Sequence, residues 1–354
     1  MVTIAVFMGL LAFTTSKVVG YPLRDPDGFL GPAWVRLPLL LGGAFAIDII
    51  PRTLWRARGR ILRFRAEARL LIREHWTRER VTLVVLGLIC FYVTYVSYRN
   101  LKNFLVFVRD RRETRDGDYE LHKLDHFLLF GHDPGVLLHN LLGTGISAQI
   151  LSLDYLIFLP MVPISVTVWL VWSRNVSFGY WFVTAQCIAW TLGTASYYMI
   201  PTMGPNFAFP WIYQVVNDTG AGSLVDSLWY GRQSVLTDPF TNGVQSVAGF
   251  ASLHVAITLL MALVGQYTLR HKALKVILWV YMSITVVSTT YFGWHYIADD
   301  IVGALIAFVA FYVGGIASGQ KFDVHGRHSH PSTTTKDVPV ERKDRPELLS
   351  PSGG

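Results

Sequence analysis

The chain has 354 residues, of which 52% are hydrophobic and only 16% are charged, whereas a typical soluble domain has about 25% charged residues. Its mean hydropathy of +0.37 excludes an ordinary soluble protein and predicts an all-α, polytopic membrane protein. The formal net charge is +7, but the basic residues concentrate beside one membrane segment, so orientation and lipid contact explain them better than nucleic-acid binding. Cys90 and Cys187 both lie in apolar segments, which argues against a disulfide framework or a thiolate metal site.

Membrane helices need about 20 apolar residues each, and eight segments approach this requirement. They cover residues 2–20, 32–50, 81–98, 150–172, 178–200, 250–268, 273–293 and 297–317. The first segment lacks a basic region before it and a small-residue cleavage site before Ser16 and Lys17. We therefore interpret it as an uncleaved helix and not as a signal peptide, so that residues 1–50 are predicted to form two N-terminal transmembrane helices.

Residues 51–80 are predicted to form a basic, amphipathic segment on the cytoplasmic side. Leucines and Trp76 interleave with the basic residues, a pattern that suits a helix lying on an anionic lipid leaflet. An orientation signal with no further role is the simpler alternative. The segment holds ten arginines: Arg52, Arg56, Arg58, Arg60, Arg63, Arg65, Arg69, Arg73, Arg78 and Arg80.

Fixing this segment inside the cell gives a consistent topology, because residues 172–175 and 270–275 then also lie inside and carry net positive charge. The residues around His254 and His295 are thereby placed on the extracytoplasmic face of the plasma membrane. Residues 318–354 are predicted to form a disordered cytoplasmic tail, since they are polar and lack apolar periodicity. The tail histidines, His325, His328 and His330, are interpreted as solvated residues, with metal binding as the alternative.

Two short motifs combine the groups needed for covalent catalysis. His295 and Asp299 are four positions apart, so on one helix the carboxylate can fix the imidazole tautomer and stabilise its charged form. A helix N-terminus at that point also offers free N–H groups to an anion. Ser252 and His254 open another apolar segment and add a hydroxyl and a second imidazole. This set suits phosphoryl transfer, with one histidine as nucleophile and the other as general acid.

The order and spacing of these motifs resemble the type 2 phosphatidic acid phosphatase superfamily, which carries Ser-x-His followed by His-x-x-x-Asp on a later helix. The resemblance implies a six-helix core, here residues 81–317. It also implies that His295 is the nucleophile, Asp299 its orienting partner, His254 the general acid and Ser252 a phosphate ligand. Neither a cofactor nor a metal ion is implied.

Within that superfamily the chain resembles the inositol phosphorylceramide synthase-like branch. Three segments carry this likeness: Ala-Ser-Leu-His at residues 251–254, Tyr-Tyr-Met-Ile-Pro-Thr-Met-Gly-Pro at residues 197–205, and Leu-Asp-His-Phe-Leu-Leu-Phe-Gly-His-Asp-Pro at residues 124–134. In the last segment His126, His132 and Asp133 are interpreted as shaping an outer amphipathic loop, with direct substrate contact as the alternative.

The chain departs from the phosphatase pattern in its cations. The phosphatase branch of the superfamily has a Ser-Arg pair six to seven residues before its nucleophilic histidine, and here those positions hold Ser288 and Thr289. No Lys or Arg occurs in residues 185–210. Phosphoryl transfer depends on neutralising the charge of the phosphate. Arg232 in the outer loop, backbone N–H groups or a bound metal ion are the candidates to replace the missing cations.

The predicted function is therefore an integral-membrane lipid phosphotransferase that moves a phospho head group, inositol phosphate being one candidate, to or from a lipid. A lipid or polyprenyl phosphate phosphatase is the first alternative, since the same phosphohistidine can react with water. A non-catalytic membrane protein, or a metal protein using His254, His295 and Asp299 as ligands, is the second. The expected partners are a membrane lipid substrate and the anionic leaflet, without nucleic acid; the sequence leaves the oligomeric state open.

Overall fold

A computed structural model of the chain describes residues 1–25, 33–58, 60–240, 244–247, 249–322 and 332–333. The first half contains α1 (Val2–Val19), α2 (Ala33–Ala57), α3 (Ile61–His75), α4 (Arg78–Val108), α5 (Arg111–Leu128), α6 (Pro134–Leu142) and α7 (Ile146–Trp172). The second half contains α8 (Val176–Met199), α9 (Pro205–Ala208), α10 (Pro210–Tyr213), a 3₁₀ turn (Gln214–Val216), α11 (Gly220–Thr237), α12 (Leu253–Thr268), α13 (Lys272–Tyr291) and α14 (Ile297–Ala317). The only extended pairing among the described residues joins β1 (Gln320–Lys321) to β2 (Ser332–Thr333).

The fold is all-α and multi-pass, as the composition predicts. In the described part of the chain, α1, α4, α7, α13 and α14 are long and apolar enough to cross a membrane, and α12 is a shorter apolar helix. Helix α8 matches the predicted segment 178–200 in position but is more polar. It lies at the centre of the bundle, where Gln186 and Thr194 are buried and hydrogen-bonded, so its polar groups do not meet lipid.

Six helices form the bundle, because their apolar faces can be buried only against one another. Helix α8 packs against α4, α7, α12 and α14, and α13 closes the ring between α12 and α7. Helix α1 packs outside this bundle against α4, while α2 contacts α3 and α7. A Cβ atom at Gly303 in α14 would collide with the carbonyl of Ser252. This glycine therefore allows the start of α12 to approach α14.

The two ends of the bundle have different compositions. At one end Arg80 donates to the carbonyls of Val171 and Ser173, both at 2.8 Å, and Arg174 donates to the carbonyl of Thr268 at 3.0 Å. These contacts join the start of α4 to the ends of α7 and α12. The predicted basic segment reaches this end, its first residues extending α2 to Ala57 and the rest forming α3 and the start of α4. Most of the predicted tail, with its three histidines, lies outside the described residues.

The opposite end carries an extramembrane layer made of α5, α6 and α9 to α11. Two of its helices, α5 and α11, begin at residues with capping side chains: Asp110 accepts from Arg112 N at 3.1 Å, and Thr219 accepts from Gly222 N at 3.0 Å. Such caps satisfy N–H groups that have no partner inside the helix. His254, at the start of α12, and His295, just before α14, lie at this end of the bundle.

Candidate active site

His295 and Asp299 meet at the N-terminus of α14. The helix begins at Ile297, two residues after the histidine, and Asp299 reaches back as a capping residue to accept from Tyr296 N at 3.1 Å. The same oxygen, Oδ2, lies 3.3 Å from His295 Nδ1. A proton on Nδ1 is thereby directed to the carboxylate, which leaves Nε2 with its lone pair as the reactive nitrogen.

His295 is buried, and burial lowers its pKa from 6.5 to about 4, with Asp300 opposing this shift and Lys102 adding to it. The imidazole is therefore neutral at pH 7, as a nucleophile must be. Asp300, on the adjacent position of α14, accepts instead from the hydroxyls of Thr289 at 3.1 Å and Thr290 at 3.2 Å. These two hydrogen bonds join the start of α14 to the end of α13.

His254 is held by aromatic side chains of α7. Its ring stacks on Tyr155, with centroids 4.5 Å apart and planes at 19°, and lies 4.1 Å from the ring of Phe158. Tyr155 also stacks on Trp294, next to His295. The centroids of the two histidine rings are 5.9 Å apart, so both imidazoles can reach one phosphoryl group placed beside them. The structure thus brings together the motifs at residues 252–254 and 295–299.

Both histidines line a cavity of about 220 Å³, together with Lys102 and Arg99 of α4. Lys102 is only 9% exposed. Its Nζ lies 5.0 Å from the ring centroid of Tyr197 and 3.5 Å from the hydroxyl of Tyr98, and none of the described carboxylates forms an ion pair with it. The Nε atom of Arg99 is also buried and has no hydrogen-bond partner within the described ranges. A buried cation without a counter-ion is costly, so this cavity suits an anionic ligand.

These two cations were not predicted from the sequence, because the third apolar segment was taken to end at residue 98. Helix α4 in fact continues for three further turns to Val108. The apolar residues Phe104 and Leu105, which are buried, are the signal that could have extended the prediction. A helical continuation places Arg99 and Lys102 three residues apart, on neighbouring positions of one helix surface.

Ser252 lies beside the histidines, although it is fully buried and does not line the cavity. It caps α12 by accepting from Val255 N at 3.4 Å, and its own N–H donates to the carbonyl of Asp299 at 3.0 Å. Arg232 in α11 is buried as well, and burial lowers its pKa. It is not among the residues that line the cavity. The structure therefore places Lys102, and not Arg232, next to the histidines.

Two acidic residues of α5 support the site from the extramembrane layer. Asp118 accepts from the backbone of Met203 and Gly204, both at 3.0 Å, and from the hydroxyl of Tyr296 at 3.1 Å. Asp125 accepts from Ile297 N at 3.1 Å. Burial raises the pKa of each carboxyl to about 7, while the N–H donors oppose the shift. The sequence predicted free N–H groups at the start of α14, but Asp125 and Asp299 already occupy two of them.

His254, His295 and Asp299 do not bring three ligand atoms within 4.8 Å of one another, so the geometry does not favour the alternative in which they hold a metal ion. What they offer is a nucleophilic nitrogen, a second imidazole and a carboxylate beside two cations. On this geometry the chain has the fold and the groups of a membrane enzyme for phosphoryl transfer.

Comparison with known families agrees with this class. Residues 119–313, more than half of the chain, match the model of the PAP2 superfamily, and the protein belongs to that superfamily. This superfamily is a family of lipid enzymes, whose members are phosphatases and phosphotransferases. Neither the curated proteins nor the solved structures gave a match to this chain.

Proposed function

We propose that the protein is a lipid phosphotransferase that works through a phosphohistidine on His295 and transfers a phospho head group to a lipid alcohol. The observation that carries this proposal is the cavity itself, in which two imidazoles, one of them held by an aspartate, and two cations converge at one end of a membrane helix bundle. The likeness of residues 124–134, 197–205 and 251–254 to the inositol phosphorylceramide synthase-like branch favours inositol phosphate as the head group.

The first step forms a covalent intermediate. Nε2 of His295 attacks the phosphorus of the donor lipid, and the bond from phosphorus to the lipid oxygen breaks. His254 gives its proton to that leaving oxygen, which departs as a lipid alcohol. Asp299 holds the Nδ1 proton of His295 and stabilises the positive charge that develops on the ring.

The second step releases the head group to the acceptor. The hydroxyl of the acceptor lipid attacks the phosphohistidine, His254 takes the hydroxyl proton, and the phosphorus–nitrogen bond breaks. Water in the place of the acceptor would hydrolyse this intermediate and release the free phospho head group. With a lipid phosphate monoester as donor, the same two steps would release inorganic phosphate, which is a phosphatase reaction. The apolar side chains of Leu224 and Leu228, which line the cavity from α11, support a lipid acceptor, since they suit an acyl chain better than bulk water.

Lys102 and Arg99 are proposed to neutralise the phosphate oxygens during both steps, in the role that the sequence analysis left open. Phosphoryl transfer gains most of its rate from such positioned charge. Ser252 is proposed as a further phosphate ligand through its hydroxyl at the start of α12. Phosphate binding by Arg232 stays a prediction, and Arg232 is not among the residues that line the cavity.

The site is proposed to face the extracytoplasmic side of the plasma membrane, because it lies at the end of the bundle opposite the arginine-rich segment. Arg63, Arg65, Arg69 and Arg73 of α3 are all exposed, as are Leu70 and Ile72. This surface supports the proposal that α3 lies on an anionic leaflet.

The test is turnover by the purified chain in lipid nanodiscs, on a panel of phospholipids and polyprenyl phosphates, with each donor supplied with and without a lipid alcohol. Mass spectrometry follows new phospholipids, and a colorimetric assay follows free phosphate. We expect a new phospholipid that requires the added alcohol and disappears in His295→Ala, whereas the exposed His132→Ala is the matched control. Free phosphate without a new phospholipid would make the protein a phosphatase. Equal turnover by His295→Ala would refute the proposal.

A further inference from the structure

A second group of ligand-type side chains lies outside the cavity, in the extramembrane layer. His122 and His126 are one turn apart on α5, with ring centroids 4.4 Å apart. Both face the same atom of Asp133: Oδ1 lies 2.9 Å from His126 Nε2 and 3.5 Å from His122 Nδ1. One ligand atom from each residue falls within 4.8 Å of the others. None of these three residues takes part in the proposed catalytic steps.

We propose that His122, His126 and Asp133 bind a divalent transition-metal ion, with Zn²⁺ as the best fit. Two imidazoles and a carboxylate suit Zn²⁺, which in open sites takes three protein ligands and water. With zinc–ligand bonds near 2.0–2.2 Å, a tetrahedron separates its ligand atoms by roughly 3.3 Å. The observed separations of 2.9 and 3.5 Å fall on either side of this value.

The local backbone supports a role for Asp133 other than capping. Asp133 is the N-cap residue of α6, yet its side chain makes no capping hydrogen bond and faces the histidines instead. The turn just before Asp133 contains Phe130 with φ of 53° and Gly131 with φ of 89°. Phe130 is a bulky residue in the left-handed region, a strained conformation that persists only where other contacts require it.

The site is also accessible to an ion. The side chains of His122, His126 and Asp133 are 19%, 34% and 23% exposed, so water can complete the coordination and the ion has an entry path. The ring of His122 stacks on Phe209, with centroids 4.0 Å apart, which fixes one ligand in place. A bound ion would join α5 to the start of α6, and α5 in turn carries Asp118 and Asp125. The ion is therefore a stabiliser of the layer above the cavity.

The test measures metal content and stability, so it does not depend on the proposed reaction. The full chain carries His325→Ala, His328→Ala and His330→Ala to remove the tail histidines, and a tag without histidine. After treatment with a chelator and then Zn²⁺, elemental analysis should find about one ion per chain, and Zn²⁺ should raise the melting temperature by a few degrees. Asp133→Asn and His126→Ala should lose both effects, while His132→Ala, in the same loop but exposed, should keep them.

A measurement on the chain with intact ligands covers the case in which these variants fail to fold. Co²⁺ added in place of Zn²⁺ should give the intense visible bands of a tetrahedral site with nitrogen and oxygen ligands. The proposal is overturned if the chain with the substituted tail holds no Zn²⁺ and shows no such bands, or if folded Asp133→Asn binds Zn²⁺ as well as its parent does.

Discussion

Replacing Lys102 with methionine should separate activity from stability. Lys102 lines the cavity with both histidines, is 9% exposed, and has no ion-pair partner among the described carboxylates. Loss of one positioned group that stabilises charge in the transition state costs about 10²–10³ in rate, or roughly 3–4 kcal/mol. We expect kcat/KM to fall by this factor. A methionine can take the place of the lysine beside Tyr98 and Tyr197 without the desolvation cost of an ion. The melting temperature should therefore stay equal or rise by a few degrees.

The assay is the nanodisc turnover described above, with the melting temperature measured on the same samples. Lys102→Arg keeps the charge and should recover part of the rate, although its planar head group fits the site differently. Lys123→Met removes an exposed lysine from α5 that pairs with Glu120 and should change neither quantity. If folded Lys102→Met keeps kcat/KM within threefold of the parent, Lys102 does not bind the phosphate and the charge must come from elsewhere.

Three further predictions concern the reacting groups and the lipid surface. His254→Gln should lower kcat/KM for the donor, which reports the first step alone, by about 10²–10⁴ with a lipid donor, but by much less with an aryl phosphodiester whose leaving group needs no proton. Equal losses of kcat/KM with both donors would exclude the general-acid role. Because burial lowers the pKa of His295 to about 4, beside Asp299, Asp300 and Lys102, its neutral form should persist on acidification, so kcat/KM should show no acidic limb from this group until the pH nears 4. A limb centred near 6.5 that persists in His254→Gln, and so does not come from that histidine, would contradict this. Replacing the exposed arginines of α3 with glutamine should reduce the anionic lipid that co-purifies with the protein, measured by native mass spectrometry, and unchanged lipid content would leave α3 as an orientation signal alone.

Ser252 offers a further test because its hydroxyl caps α12. Ser252→Ala should lower stability by about 1 kcal/mol through loss of the cap. If the hydroxyl also donates to the phosphate, kcat/KM should fall by about tenfold or more, since a hydrogen bond to a charged group contributes about 1.5–3 kcal/mol. Thermal melts and kinetics on the same preparation measure both effects. A lower melting temperature with unchanged kcat/KM would make Ser252 a cap and nothing more.

Local regularities in the sequence were enough to predict the membrane helices and one part of the site. Apolar segments of sufficient length predicted the class of fold, and confirmation came from helices such as α4, α7 and α14. The spacing of His295 and Asp299 predicted their contact, because residues four apart on a helical turn face each other. The structure refines this prediction, since His295 precedes the helix and Asp299 meets it as a capping residue.

Contacts between residues far apart in the sequence were decided only by the tertiary structure. Lys102 reaches the histidines because α4 continues beyond the predicted span, and Tyr155 of α7 stacks on His254 almost a hundred residues away. Asp125 accepts a hydrogen bond from the N–H of Ile297, a group at the helix N-terminus that the sequence predicted to be free for an anion. Helical periodicity determines which residues share a face of one helix, but not which helix that face meets. The sequence by itself therefore determined the membrane class and the histidine–aspartate pair, and packing decided which cations, aromatic rings and caps surround that pair.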